Sequence, residues 1–283
     1  CKPVFPILRR EALAVFDRSG RKPIGGGALA GTLFDADAVI LSDLHLGSPA
    51  CQAIPLSLFL QRFVSGSYRT KELILNGDVF DSMDFRRLKK HHWKVLSLLR
   101  KLSDSVRITW VCGNHDGPSE IISHLLGVTV VDYHTVWSGR RSALVLHGHQ
   151  FDEFVEEHPG ITWLADTLYR FLQRIDRTHR VARFAKTNSK VFLRCAEKVR
   201  LGAVEYARKY SASMVCCGHT HHAEIVEGAI QYANSGSWTE SPCTYLSVSN
   251  GSVRLHRFTE SVHAESHSSV PIYDNALIPA FAN

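Results

Sequence analysis

The 283-residue sequence has no uninterrupted apolar run approaching the ~18 residues a membrane-spanning helix needs, which excludes a transmembrane helix. It has no internal repeat and no low-complexity tract. Its 45% hydrophobic and 21% charged residues are ordinary for a globular chain, which excludes a fibrous or disordered protein. Cysteine is sparse and odd in number, seven in all, without the paired spacing of a secreted disulfide scaffold. Cys112, Cys216 and Cys217 sit inside apolar runs and read as buried thiols. A reducing, cytoplasmic compartment is the resulting expectation. A strong charge of either sign is also missing: 33 Lys and Arg against 27 Asp and Glu leave +6. Such an excess says something about partners only where it is concentrated. What the chain does have is sixteen histidines.

Five short apolar runs share one design. Ala38–Ser42 stops at Asp43, and Glu72–Asn76 stops at Gly77-Asp78. Arg107–Cys112 stops at Gly113-Asn114-His115-Asp116, Ala143–Leu146 at His147, and Ser213–Cys217 at Gly218-His219-Thr220-His221. Each run predicts a buried strand. Helical patterns between some of them, such as Trp93–Arg100, predict an α/β layered fold. In such sheets ligands gather at the carboxyl ends of the strands, where every polar cluster falls. Asn250-Gly251 between two further strand patterns predicts a hairpin turn rather than a glycosylation site. The expected organisation is a lead-in over residues 1–36, a domain over 37–258 and a tail over 259–283. The domain carries a helical insertion over about 153–208, where Ile161, Leu164, Leu168, Phe171, Leu172 and Ile175 recur at helical spacing.

Singly, none of these clusters decides anything, since Gly77-Asp78 alone is a turn signal. Together they bring carboxylate, imidazole and amide donors to one edge of a sheet and no thiolate: Asp43, His45, Asp78, Asn114, His147, His219 and His221. That donor set suits Mn²⁺, Fe²⁺ or Zn²⁺ and not a Cys-rich structural zinc site. Seven ligands exceed the needs of one ion. Two ions ~3.5–4 Å apart, sharing a carboxylate, are the arrangement used for displacement at phosphorus, where they neutralise charge and activate water. His115 has no ligand role in this scheme and is free to donate a proton to a leaving oxygen, with Asp81 placed to orient it.

Asp43-x-His45, Gly77-Asp78-x-x-Asp81, Gly113–Asp116, His147-Gly148-His149 and Gly218–His221 occur in the order of the five-part signature of the calcineurin-like metallophosphoesterases, which the chain resembles over residues 43–221. The resemblance implies a four-layer αββα sandwich with a dinuclear metal site and a metal-bridging hydroxide as the attacking group. It assigns Asp43, His45, Asp78 and His221 to one ion, and Asp78, Asn114, His147 and His219 to the other. It makes His115 the proton donor, hydrogen-bonded to Asp81, with Asn114 stabilising the transition state. A phosphodiesterase or nuclease of the same family, and a binding module of the same fold without catalysis, are the alternatives.

The insertion bears on the substrate. From Arg170 to Arg200 there are ten basic residues and only Asp176 and Glu197 as acids, a net +8 that leaves the rest of the chain at −2. Lys186, Lys190 and Arg194 share a helical face by spacing. Trp163, Leu164, Leu168, Tyr169, Phe171 and Leu172 add apolar surface beside them. Basic and apolar surface together suit an amphiphilic phosphate substrate and an anionic membrane surface. A nucleic-acid partner is disfavoured because the aromatics fall at core-like spacing rather than interleaving with charge. Thr187-Asn188-Ser189-Lys190, Gly218–Glu224 and Asn234-Ser-Gly-Ser-Trp238 resemble the UDP-2,3-diacylglucosamine pyrophosphatase branch, enzymes of lipid A biosynthesis that usually use Mn²⁺. That resemblance implies substrate contacts from Asn188, Ser189 and Lys190, with Lys186 and His149 beside them. The branch carries Arg where this chain has His115 and Asp where it has His149.

Overall fold

The structure is a computed structural model, and it describes residues 34–117, 123–124, 126–152 and 190–259. Within these, eleven strands form two sheets. The first sheet holds β1 (Phe34–Leu41), β2 (Tyr68–Asn76), β3 (Arg107–Val111), β4 (Thr129–Val131), β10 (Cys243–Ser249) and β11 (Ser252–Phe258), in the order β11-β10-β1-β2-β3-β4. The second holds β5 (Tyr133–Ser138), β6 (Arg141–Leu146), β7 (Met214–Cys217), β8 (Glu224–Val226) and β9 (Gln231–Asn234), in the order β5-β6-β7-β9-β8. Helices α1 (Ala53–Val64), α2 (Lys90–Leu102) and α3 (Lys190–Lys209) flank them, with short 3-10 turns at Phe85–Arg87 and His149–Phe151.

Strand periodicity divides the apolar residues among three cores. In β1, Val39 and Leu41 face α1 and α2, whereas Ala38 and Ile40 face the second sheet. Successive side chains of a strand point to opposite faces, so one run of buried residues serves two layers. The first core joins the first sheet to α1 and α2 through Phe59, Leu60, Val95, Leu99 and Trp110. The second, with Ile74, Val111, Val145, Met214 and Cys216, lies between the sheets. The third packs Leu144, Leu146, Val215 and Tyr232 of the second sheet against Ala203 and Ala207 of α3. Three cores between four layers give a mixed α/β sandwich of the expected αββα type.

The helix over Lys190–Lys209, expected as a second helical run from about Val191 to Tyr210 within the insertion, is present and forms the outer layer on the second sheet: Val199, Ala203 and Ala207 are fully buried. β1 starts at Phe34, inside the expected lead-in, because backbone pairing of Phe34–Ala36 with Tyr68–Thr70 needs no apolar pattern. Cys216 and Cys217 are buried, but Cys112 is only half-buried because it already lies past the end of β3. The Asn250-Gly251 turn is present, with φ of 51° and 70°, the left-handed pair that a two-residue hairpin demands. The residues before 34, the helical pattern over 161–175 and the tail after 259 lie outside the described residues.

One aromatic hub ties this frame to the strand ends. Phe59 of α1 sits 4.7 Å from Tyr245, 5.2 Å from Phe258 and 5.2 Å from Trp238, ring centre to ring centre. Burying such a ring stabilises by about 1.5–3 kcal/mol. Trp238 is itself fully buried and donates its backbone N–H to the Asp43 carbonyl at 3.1 Å. Core packing thus reaches the first polar residue after β1.

Candidate metal centre

Strands β1, β2, β3, β6 and β7 end at Leu41, Asn76, Val111, Leu146 and Cys217, and the polar clusters follow each end directly. The chain turns sharply there. Of the seven non-glycine residues with left-handed φ among the described residues, five are Asp43, His45, Asp78, His219 and His221, at 45° to 64°. Each such conformation costs about 1–3 kcal/mol and persists only where surrounding structure imposes it. Backbone hydrogen bonds impose it here: Asp43 N–H donates to the Gly77 carbonyl (3.1 Å), His45 N–H to Asp78 (2.9 Å) and Gly218 N–H to His147 (3.0 Å).

The side chains converge in two groups. Asp43, His45 and His221 bring one donor atom each within 4.8 Å of one another, and so do Asp78, His147 and His219. Asp78 Oδ2 lies 3.4 Å from His147 Nε2 in its own group and 3.7 Å from His45 Nε2 in the other, so one carboxylate faces both. His221 Nε2 lies 3.0 Å from Asp43 Oδ1 and 3.3 Å from His45 Nε2.

Each imidazole is fixed through its second nitrogen. His147 Nδ1 donates to the Asn76 carbonyl at 2.8 Å, and His45 Nδ1 meets Asp81 Oδ1 at 3.5 Å. His221 Nδ1 meets the Thr239 hydroxyl at 3.4 Å, and His219 Nε2 meets Asp152 Oδ2 at 2.9 Å. Metal-binding histidines are oriented in this way, with one nitrogen anchored outside and a lone pair inward. His147 Nε2 is buried and makes no hydrogen bond, a cost that an ion would remove. Carboxylates, lone-pair nitrogens and an orphaned buried imidazole fit divalent ions.

The charges reinforce one another. Burial alone would raise Asp43, but His221 beside it outweighs that and holds the carboxyl down at about 2. Burial likewise opposes ionisation of Asp78, yet His147 and His45 keep it well below the ordinary carboxylate range. For His147, burial pulls downward while Asp78 and Asp43 push the imidazole up to about 9. Burial, followed by the charges on His147 and His219, lowers His149 to about 4.

Below the ligands lies a support supplied by the last residue of the Gly113–Asp116 motif. The buried carboxylate of Asp116 accepts hydrogen bonds from the backbone N–H groups of Asp78 (2.9 Å), Val79 (2.8 Å), Phe80 (3.3 Å) and Gly113 (2.9 Å), and from the Trp110 indole (3.0 Å). It therefore shapes the loop that carries Asp78. Two glycines are set by close approach: a Cβ on Gly113 would collide with Asp78, and one on Gly218 would come within 2.6 Å of Asp43 Oδ2. Asn234 donates to the Gly218 carbonyl at 2.7 Å and to Thr220 at 3.1 Å, which gives the Asn234–Trp238 motif a scaffolding role.

The remaining expected residues are placed as follows. Asn114 and His115 stand exposed on the loop after β3. His115 N–H donates to Asp78 Oδ1 at 2.9 Å, which ties the loop to the shared carboxylate. The hydrogen bond of His115 to Asp81 is present through the main chain: His115 Nδ1 donates to the Asp81 backbone carbonyl at 3.2 Å, while the Asp81 carboxylate turns to His45 and Arg87. Residue spacing places Asp81 near His115 but does not set which way its side chain points. His149 is half-buried, its ring 5.5 Å from His147 and 6.3 Å from His219. Lys190 opens α3, and Lys186, Asn188 and Ser189 lie outside the described residues. Asp116, Asp152 and Thr239 are the residues that motif reading misses. Asp116 alone had a signal, its place at the end of Gly113–Asp116.

Residues 38–223 match the family described as calcineurin-like phosphoesterase. Among solved structures, the chain is similar to Yfce, a phosphoesterase from E. coli, at 17% identity and a TM-score of 0.41, covering 78% of this chain and 99% of that one. It is similar to a single mutant of Vps29 from Entamoeba histolytica at 20% identity and a TM-score of 0.40, covering 78% and 97%. It is also similar to the nuclease MPE from Pseudomonas putida at 22% identity and a TM-score of 0.30, covering 40% and 54%. No curated protein matches the chain.

Proposed function

Because the chain belongs to the calcineurin-like phosphoesterase family, we propose that it is a two-metal hydrolase whose substrate is a nucleotide–lipid diphosphate of the UDP-2,3-diacylglucosamine type, with Mn²⁺ as the resident ion. The observation that carries the two-metal part is Asp78 Oδ2, one oxygen facing imidazoles of both groups at 3.4 and 3.7 Å. When bound, such ions neutralise phosphate charge and make water a nucleophile near neutral pH.

The chain's own residues do the rest. Asp43, His45 and His221 would hold one ion, and Asp78, His147 and His219, with Asn114, the other. The Asp81 carbonyl accepts from His115 Nδ1 and keeps that proton in place, so the imidazolium form of His115 would pass its Nε2 proton to the leaving oxygen. Half-buried His149 lines the same face beside His147 and His219 and meets the substrate there. The lipid part of the reading is supported by the net +8 of residues 170–200 beside an apolar helical pattern. Lys186, Asn188, Ser189 and Lys190 would contact the diphosphate or the sugar. The same charge would hold the protein peripherally on the cytoplasmic face of an anionic membrane.

A metal-loaded activity screen tests both parts. The expected reaction adds one water to UDP-2,3-diacylglucosamine and yields UMP and the lipid 1-phosphate, with Mn²⁺ present and not with EDTA. Activity that survives both EDTA and Asp78→Ala overturns the metal reading. A metal-dependent enzyme that leaves this lipid intact but cleaves single-stranded DNA or a cyclic nucleotide overturns the substrate and keeps the family chemistry.

A further inference from the structure

Asp152 follows the short turn His149–Phe151 at the end of β6 and is the last described residue before the segment 153–189. Just beyond that segment, in the second turn of α3, Cys195 lies beside Asp152: burial first, and then that neighbouring carboxylate, pushes its thiol up to about 12. The same carboxylate meets His219 Nε2 at 2.9 Å. The two ends of the 153–189 segment therefore join on a buried group that touches a candidate metal ligand. Neighbouring packing holds Asp152 there. A Cβ on Gly202 of α3 would come within 2.8 Å of the Phe151 ring, and Tyr206 sits 5.9 Å from the same ring.

A carboxylate only accepts hydrogen bonds, so it selects the His219 form that carries its proton on Nε2 and leaves the Nδ1 lone pair free. This is the reverse of His45, His147 and His221, whose Nδ1 atoms are anchored outward. We infer that Asp152 is a positioning residue, which fixes His219 with Nδ1 turned to the second ion and ties that ligand to both ends of the 153–189 segment. The inference rests on the two-metal reading above and goes beyond it in making metal affinity depend on where that segment is rooted.

The test titrates wild type, Asp152→Asn and Asp152→Glu with Mn²⁺ and records the His219 tautomer in the metal-free proteins by long-range ¹H–¹⁵N spectra. Wild type should take two ions and show the Nε2–H form. Asp152→Asn should keep one ion at wild-type affinity, bind the other about 10–100-fold more weakly, as loss of an outer carboxylate partner does, and show mixed tautomers. Asp152→Glu, which restores a carboxylate, should recover part of the loss. A merely structural role would lower the melting temperature and leave the tautomer unchanged. Two ions bound with wild-type affinity by Asp152→Asn overturn this inference alone, as does an Nδ1–H tautomer in wild type. A wild-type chain that binds no pair of ions overturns the two-metal reading and this inference with it.

Discussion

Asp43, His45 and His221, and Asp78, His147 and His219, each set one carboxylate beside two imidazoles, yet they are held with different stringency. In the second group His147 is anchored at 2.8 Å, His219 at 2.9 Å, and the Asp78 backbone is clamped by Asp116 at 2.9 Å. In the first, the outer contacts of His45 and His221 are 3.5 and 3.4 Å, at the weak limit of a hydrogen bond. His147 is wholly buried, whereas His221 keeps about a fifth of its side chain exposed. Ordering done in advance does not have to be supplied at binding. The donors of the second group are thus held more firmly in advance than those of the first.

The sharpest way to break this contrast is to remove the clamp. Asp116→Ala strips the acceptor from five donors, four of them backbone N–H groups. Each buried donor left unsatisfied costs about 1–3 kcal/mol. Together they match the ~5–15 kcal/mol that holds an ordinary domain folded. The expected result is loss of cooperative thermal unfolding. An Asp116→Ala protein that melts like wild type would show that Asp116 does not set the Asp78 loop.

A milder change tests the looser group. Thr239→Val removes the hydroxyl beside His221 Nδ1 and keeps the shape. Because that contact is long, the ion of the first group should weaken by about tenfold or less, the bottom of the range for outer-partner losses. Competition with a chelator reads this directly, and the second ion should be unaffected. A greater loss than Asp152→Asn produces would invert the ranking of the two groups.

The first tier of the site was legible in the chain because an apolar run that stops at Asp, His or Asn marks both a buried strand and the place where it ends. All six carboxylate and imidazole donors of the two groups were found that way. The second tier was not. Asp152, Thr239 and Asp116 act through contacts that layer packing creates. His219 and Asp152 lie 67 positions apart. Asp81 was found in position beside His115, but spacing does not set where its side chain turns, and the bond runs through its backbone carbonyl. The α3 helix was read as a helical run within an insertion. Its small buried face, Ala203 and Ala207, is what places it against the second sheet. The Asn234–Trp238 motif was read as a mark of kinship, and its hydrogen bonds show what it does: it holds the loops beneath the ligands.

The smallest expected effect concerns a carboxylate–imidazole contact that is not a metal site. Glu72 on β2 accepts from Thr109 through Oε1 at 2.6 Å and from His134 of the other sheet through Oε2 at 3.1 Å. Glu72 belongs to neither ligand group, and one imidazole faces it where Asp78 faces two. Burial would raise Glu72, but its hydrogen bonds with His134 and Thr109 outweigh that and lower it below its ordinary value. A folded-state value below the unfolded one gives stability that is present above the ordinary glutamate range and is lost as pH falls through the lowered value. His134→Gln should move that loss to higher pH and cost about 1.5 kcal/mol at neutral pH, the low end for a hydrogen bond to a charged group. Acid unfolding followed by circular dichroism reads the shift, and Mn²⁺ uptake should stay unchanged. Altered metal binding in His134→Gln would mean that this contact and the two ligand groups are not independent, and that the contrast drawn between them extends through the sandwich.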